Sequence, residues 1–160
     1  MRETSLARMD CSIARTLELI GDRWTLMIIR SMFAFKGLHR FDELRAELGI
    51  AKNILSDRLD ILVRHGIVEK RQYSDKPPRY EYHLTRPGKD LLPVIIALLR
   101  WGDTYLMGEQ GPPVILHHTE CDHDTVPYLA CSHCHEPISL RSIAARDAPS
   151  RIGRADNARP

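Results

Sequence analysis

Residues 41–66 read FDELRAELGIAKNILSDRLDILVRHG, and the fold turns on how this stretch divides. Phe41, Leu44 and Leu48 recur at helical spacing, Gly49-Ile50-Ala51 interrupts the pattern, and Leu55, Leu59 and Leu62 resume it. Two amphipathic helices joined so tightly make a helix-turn-helix pattern. Gly49 supplies the positive φ that a tight interhelical turn needs, and Ile50 plugs the core between the helices. Gly66 closes the second helix.

Upstream, Ile13, Leu17 and Ile20 mark one face of a first helix over Ser12–Ile20, with Gly21 expected just past its end as a left-handed cap. Asp22 is placed to cap a second helix, whose buried face is expected from Trp24, Met27, Ile28 and Phe33. Phe35-Lys36-Gly37-Leu38-His39 then breaks the period as a turn or short strand. Downstream, residues 67–73 and 79–84 flank Ser74-Asp75-Lys76-Pro77-Pro78 and read as two strands and a loop. A hairpin directly after a helix-turn-helix is a winged helix, so the fold class is α+β, mostly helical. Thr85 is placed to cap a final long helix from about Pro87 to Met107, with an irregular first turn or kink at Pro87 and Pro93.

That last helix carries Leu91, Leu92, Val94, Ile95, Ile96, Leu98, Leu99, Trp101, Tyr105 and Leu106 around most of its circumference. One small domain covers only part of such a surface, so a two-fold homodimer pairing these helices is expected, with burial in the monomer's own core as the alternative. Gly111-Pro112-Pro113 marks a linker. The domain reading is therefore 1–107 for DNA binding and dimerisation, 108–140 for a small Cys/His-rich appendage, and 141–160 for a mobile tail.

At 160 residues, with 43% hydrophobic and 28% charged residues, the chain is long enough for a core and too apolar for disorder throughout. A formal net charge of +2 is small, but it is unevenly spread. Basic residues outnumber acidic ones from Lys36 to Lys89. From Leu91 to Leu140, Arg100 is the only Lys or Arg, against Asp103, Glu109, Glu120, Asp122, Asp124 and Glu136. The first ten residues hold no apolar run and the apolar stretch Leu91–Leu99 is too short to span a bilayer, so a cytoplasmic chain without membrane association is expected. In that compartment the four cysteines read as thiols or metal ligands rather than structural disulfides.

The helix from Lys52 to His65 divides into an inward Leu55, Leu59, Leu62 face and an outward polar one. A recognition helix inserts its first turns into the major groove, which makes Lys52, Asn53 and Ser56 the candidate readers of base edges, with Arg58 reaching a base or a phosphate. Lys70, Arg71, Lys76 and Arg79 cluster on the hairpin, where they would meet phosphates or the minor groove. The plain alternatives are an ordinary amphipathic surface helix and a hairpin edge guarded by Lys and Pro against aggregation.

The rear segment holds His118-x2-Cys121, nine intervening residues, then Cys131-x2-Cys134. Two such turns, each aiming a pair of donors at one point, suit a tetrahedral zinc site of one nitrogen and three sulfurs, with His117, His123 or His135 as replacements for His118. A redox dithiol at Cys131 and Cys134, or idle cysteines on a flexible tail, are competing readings. No cofactor is required by the rest of the chain.

One group of residues resembles a known family in order and spacing. It comprises Cys11 with Leu17-Glu18-Leu19-Ile20-Gly21-Asp22-Arg23-Trp24, then Arg40-Phe41-Asp42-Glu43-Leu44, then Leu55-Ser56-Asp57-Arg58-Leu59-Asp60-Ile61-Leu62 with Gly66-Ile67-Val68. Pro77-Pro78-Arg79-Tyr80-Glu81-Tyr82, Leu84-Thr85-Arg86-Pro87-Gly88, Leu91-Leu92-Pro93 and Trp101-Gly102 continue it. The chain resembles the HxlR family of bacterial winged-helix regulators, relatives of the MarR group, over residues 10–107. It departs at Ala51, where the family usually places Ser or Thr before the recognition helix. The resemblance implies a homodimeric transcription regulator without catalytic activity, bound to duplex DNA at an inverted-repeat operator. It also implies a redox-sensing candidate in Cys11, for which a buried, inert thiol is the other reading. Two rivals stand beside the regulator: a winged helix serving protein–protein interaction without DNA binding, and a zinc enzyme, which a closed three-sulfur, one-nitrogen site disfavours.

Overall fold

Helix α2 (Arg23–Met32) is the element around which the front of the molecule is assembled, touching α1 (Ser12–Ile20), α3 (Phe41–Leu48), α4 (Lys52–Arg64) and strand β2 (Pro78–Leu84). The computed structural model describes residue 6 and residues 8–33, 37–146 and 148. The chain divides into two compact units, Met1–Gly108 and Glu109–Pro160.

Asp22 starts α2 as its sequence position predicts, its Oδ1 accepting the N–H of Trp24 at 2.9 Å and of Thr25 at 3.3 Å. The helix then buries Thr25, Ile28, Ile29, Ser31 and Met32, with Phe33 just beyond it. Full burial of one such aliphatic side chain contributes roughly 1.5–3 kcal/mol, so this face outweighs any capping effect. Arg30 donates to Glu47 at 3.1 Å and ties α2 to α3.

At the start of α3 the Glu43 carboxylate accepts the Arg40 N–H at 3.0 Å. The helix ends on Gly49 at φ 59°, ψ 24°, in the left-handed region, and Ile50 is buried directly after it. Helix α4 follows at once with Leu55, Leu59 and Leu62 fully buried. The expected helix-turn-helix is therefore present, plug included.

Strands β1 (Val68–Asp75) and β2 pair antiparallel from Val68 opposite Leu84 to Asp75 opposite Pro78, with a bulge between Gln72 and Ser74. The hairpin is longer, and its loop shorter, than the pattern suggested, because Ser74, Asp75 and Pro78 extend the ladder instead of leaving it. His39 and Arg40 act as a third edge: Arg40 bridges Glu81, and the Tyr82 N–H donates to the His39 carbonyl at 2.7 Å. The earlier part of that turn, at Phe35 and Lys36, lies outside the described residues. Thr85 donates through Oγ1 to the Gly66 carbonyl at 2.6 Å and accepts from the Gly88 N–H at 3.3 Å, joining the end of α4 to the next turn.

The expected long last helix is a single turn, α5 (Arg86–Lys89), followed by α6 (Leu92–Tyr105) with Pro93 in its first turn. Ile95 is buried, and Leu91 and Leu92 pack on the core. Val94, Leu98, Trp101 and Tyr105 form an exposed stripe on the other side, Trp101 at 57% and Tyr105 at 69% exposure. On α1 only Ala14 and Ile20 are buried, whereas Ile13 and Leu17 face outward.

Two local readings are corrected. Gly21 is not left-handed: it sits at φ −72°, and a Cβ there would lie 2.4 Å from the Leu17 carbonyl oxygen. Close approach rather than backbone conformation makes that position glycine. Met27 is exposed, and Ile29 takes its place in the core, because α2 turns its Ile28–Ile29 edge inward.

The rear unit contains a small hairpin, β3 (Leu116–His118) with β4 (His123–Thr125), and an isolated bridge between Ala130 and Pro137. Most of the expected tail from Arg141 to Pro160 lies outside the described residues. Among the described residues no helix is long and apolar enough to cross a membrane.

Both tryptophans lie in the front unit, so their fluorescence during urea unfolding reports that unit. Leu59→Ala is expected to cost about 2–5 kcal/mol, as a fully buried leucine truncation. Gly49→Ala should cost about 1–2 kcal/mol through its left-handed backbone alone. A Leu59→Ala loss below that of Gly49→Ala would show that α4 is not held by its leucine face.

Candidate nucleic-acid interface

The inward leucines of α4 leave Lys52 and Asn53 exposed on its first turn, with Ser56 half-buried one turn later. Ala51 precedes them at φ −64°, ψ 141°, and offers no side-chain cap. The first turn of α4 therefore starts without a side-chain cap, at the end of the helix where the dipole favours an anion. A short polar side chain there would have filled that role.

Arg58, the fourth candidate on α4, is drawn toward the start of α2. Its Nε lies 3.5 Å from Asp22 Oδ1, the same oxygen that caps α2, with both side chains about one-third exposed. Arg58 therefore braces α4 against the start of α2, a use that helical spacing alone does not reveal.

On the hairpin the four basic candidates separate. Lys70 Nζ stands 4.2 Å from the Tyr80 ring centroid, and Arg71 is ion-paired with Glu69. Lys76 and Arg79 are exposed at the tip and make no ion pair among the described residues. The free cations are those nearest the loop, and the committed ones are nearer the base.

Arg40 was missed as a site residue. It donates through Nε to Glu81 at 3.1 Å, 41 residues away, while its guanidinium lies 4.9 Å from the Tyr73 ring centroid. The Glu81 carboxyl is held below its ordinary range, first by this hydrogen bond and then by His83, against some desolvation. Arg40 is correspondingly raised by Glu81 and by Tyr73. The His83 ring also stacks on His39, with centroids 4.4 Å apart. Together these contacts fix the hairpin relative to the start of α3. Beside them opens a cleft of about 560 Å³, lined among others by Arg40, Phe41, Tyr73, Arg79 and Tyr80. A pair so distant in sequence carries no local signal.

The thiols lie apart from this surface in the chain. Cys11 is half-buried at the N-cap of α1, where Arg15 turns to Asp10 at 3.7 Å. In the rear unit His118 Nδ1 is 3.1 Å from Cys121 Sγ. Cys131 is drawn below the ordinary thiol range, first by the Cys134 and His133 N–H groups and then by the Cys134 side chain. The structure brings these four together as two pairs. Among the described residues no three His, Cys, Asp or Glu side chains stand close enough to share a metal ion.

Comparison with known proteins gives a consistent picture. A family model described as HxlR-like helix-turn-helix matches residues 19–110. Rv3095 of Mycobacterium tuberculosis, named as an HTH-type transcriptional regulator and itself uncharacterized, is 44% identical over 138 residues, 86% of each chain. Among solved structures, the candidate transcription factor PA1607 superposes with a TM-score of 0.77 at 33% identity, covering 90% of this chain and all of its own. The redox regulator HypR in its oxidized form gives 0.54 at 33% identity, over 59% of this chain and 96% of its own.

The Glu81 anchor predicts an acid sensitivity of the hairpin. A depressed carboxyl contributes fully above its unfolded value of 4.5, and the contribution is lost as pH falls through the lower folded value. Tyr73 ring resonances in NMR spectra should therefore move in acid in the wild type. In Glu81→Gln they should already be shifted at neutral pH, and flat Tyr73 signals in both proteins would remove the anchor.

Proposed function

The chain belongs to the HxlR-like helix-turn-helix family of transcriptional regulators, and from that premise we propose that it binds duplex DNA sequence-specifically as a homodimer. The observation that carries this is the split of α4: Leu55, Leu59 and Leu62 fully buried, Lys52 and Asn53 exposed on the first turn. A helix fixed by one face and polar on its leading turn suits insertion into a major groove. Lys52, Asn53 and Ser56 discriminate bases. Lys76 and Arg79, exposed at the wing tip and without an ion pair among the described residues, supply salt-dependent phosphate contacts.

Two copies are needed to read an inverted repeat, whose half-sites lie about 34–36 Å apart or multiples of that. The stripe of Val94, Leu98, Trp101 and Tyr105 on α6, with Ile13 and Leu17 on α1, supports a two-fold contact through these helices. Removing that apolar surface from water would drive association.

Duplexes selected from a random pool, then titrated by fluorescence anisotropy at several salt concentrations, test the reading. Arg79→Ala and Lys76→Ala are each expected to flatten the salt slope by about one unit, and Arg71→Ala by less, because Glu69 already holds it. Asn53→Ala should relax preference at one base pair by about 1–3 kcal/mol. Trp101→Glu should give monomers in sedimentation and weaken operator binding. If no duplex binds in a salt-sensitive way, the protein-interaction reading takes over.

The second part of the proposal is a thiol response through Cys11. It is supported by the position of Cys11 at the start of α1, on the same helix as Ile13 and Leu17, and by similarity to a redox regulator. Oxidation there would disturb the helix start and hence the spacing of the two α4 helices. Diamide treatment should change operator affinity in the wild type and in a Cys131→Ser/Cys134→Ser protein, but not in Cys11→Ser. A response that survives Cys11→Ser would assign the effect to the rear thiols.

A further inference from the structure

The rear unit carries a set of chemically capable side chains that the proposed DNA contacts do not use. Its two turns are built alike. In the first, His118 and Cys121 close the β3–β4 hairpin, and the Cys121 N–H returns to the His118 carbonyl at 3.3 Å. In the second, Cys131 and Cys134 sit inside the Ala130–Pro137 bridge, where the His135 N–H returns to the Cys131 carbonyl at 2.9 Å and the Cys131 N–H donates to Glu136 at 2.9 Å. The residue after the second donor is left-handed in both, Asp122 at φ 57° and His135 at φ 60°. In each turn the two donor side chains are in contact, His118 with Cys121 and Cys131 with Cys134. His118 Nδ1 faces Cys121 Sγ at 3.1 Å, and Cys131 Sγ accepts the His133 N–H at 3.5 Å.

A second observation is independent of the turns. Between Glu109 and Arg146 no residue is buried, and Ile115, Val126, Tyr128, Leu129 and Leu140 are all exposed. A hairpin and a bridged turn without an apolar core need another cross-link, and in segments this short a metal commonly supplies it. Two of the three rival histidines are also engaged elsewhere. His117 is held between Asp124 at 3.0 Å and Asp122 at 3.1 Å, and His123 Nδ1 is engaged by the Cys121 carbonyl.

We propose that His118, Cys121, Cys131 and Cys134 close on a single zinc ion, which is the structural core of the rear unit. Three thiolates and one imidazole complete a tetrahedral shell with no open position, so the ion holds the fold and does no hydrolytic chemistry. Each thiol gives up its proton on binding. The two donor pairs stand apart among the described residues, so binding draws one turn onto the other and couples metal affinity to the order of this unit.

The full-length protein, purified without chelator, should carry one zinc per chain by elemental analysis. The metal-stripped chain titrated with cobalt(II) should show the intense visible absorption of a tetrahedral thiolate centre, saturating at one equivalent. Cys131→Ser and Cys134→Ser should lose stoichiometric metal, while His118→Cys and Cys11→Ser keep it. Chelation should open the segment after Gly111 to limited proteolysis and leave tryptophan fluorescence of the front unit unchanged. Three results overturn the proposal: only trace metal with an octahedral cobalt spectrum, zinc retained by the Cys131→Ser/Cys134→Ser protein, or a Cys131–Cys134 disulfide in the thiol-blocked native protein.

Discussion

Helix α4 can show Lys52 and Asn53 to a DNA groove only because its opposite face is immobilised. Leu55, Leu59 and Leu62 belong to the same buried cluster as Ile28, Ile29 and Leu44, so rotation of α4 about its axis would expose leucine and bury lysine together. Both changes cost free energy, and the packed interior leaves few intermediate positions. Asp22 adds a polar restraint to the apolar one. It caps α2 through Oδ1, and the same atom is ion-paired with Arg58 Nε at 3.5 Å, which links the start of the central helix to the middle of α4.

The hairpin is governed by a different kind of restraint. Its base is continuous with the core through Val68, Tyr82 and Leu84, but its outer half has no apolar support. Arg40, Glu81 and Tyr73 substitute for that support with an exposed ion pair and a ring contact. Exposed pairs of this type orient more than they stabilise, and salt screens them. The wing can therefore remain adjustable at its tip, where Lys76 and Arg79 lie, while its root keeps the register of the helix-turn-helix.

What could be read in the sequence divides along the same line. Helical spacing of leucines, the Gly49 break, the Asp22 and Thr85 caps and the hairpin all follow from short-range physics, and the structure contains each of them. Gly21 shows the limit of that approach: a glycine after a helix suggests a left-handed cap, but the cause is a carbonyl oxygen that only the folded backbone brings near. Arg58 and Arg40 were illegible for a stronger reason. Their partners Asp22 and Glu81 are 36 and 41 residues away, and exposed guanidinium groups at helical or turn positions look alike until a distant carboxylate selects them. In the rear unit the spacing of the His and Cys residues was legible, but that Asp122 and Asp124 hold His117 was not.

The exposed stripes on α1 and α6 connect these local facts to regulation. A single copy leaves Ile13, Leu17, Leu98, Trp101 and Tyr105 in water, an arrangement whose cost disappears when a second copy covers it. In the proposed dimer the distance between the two α4 helices would be set by the α1 and α6 contact rather than by anything in the helix-turn-helix itself. Cys11 begins α1, far in sequence from Lys52 and Asn53 but on the helix that carries Ile13 and Leu17. A chemical change at that thiol would consequently act on the geometry of the pair of readers and leave each reader's own surface intact. Such a signal would switch affinity for a correctly spaced operator much more than affinity for a single half-site, which separates control of dimer geometry from direct interference with the DNA contacts.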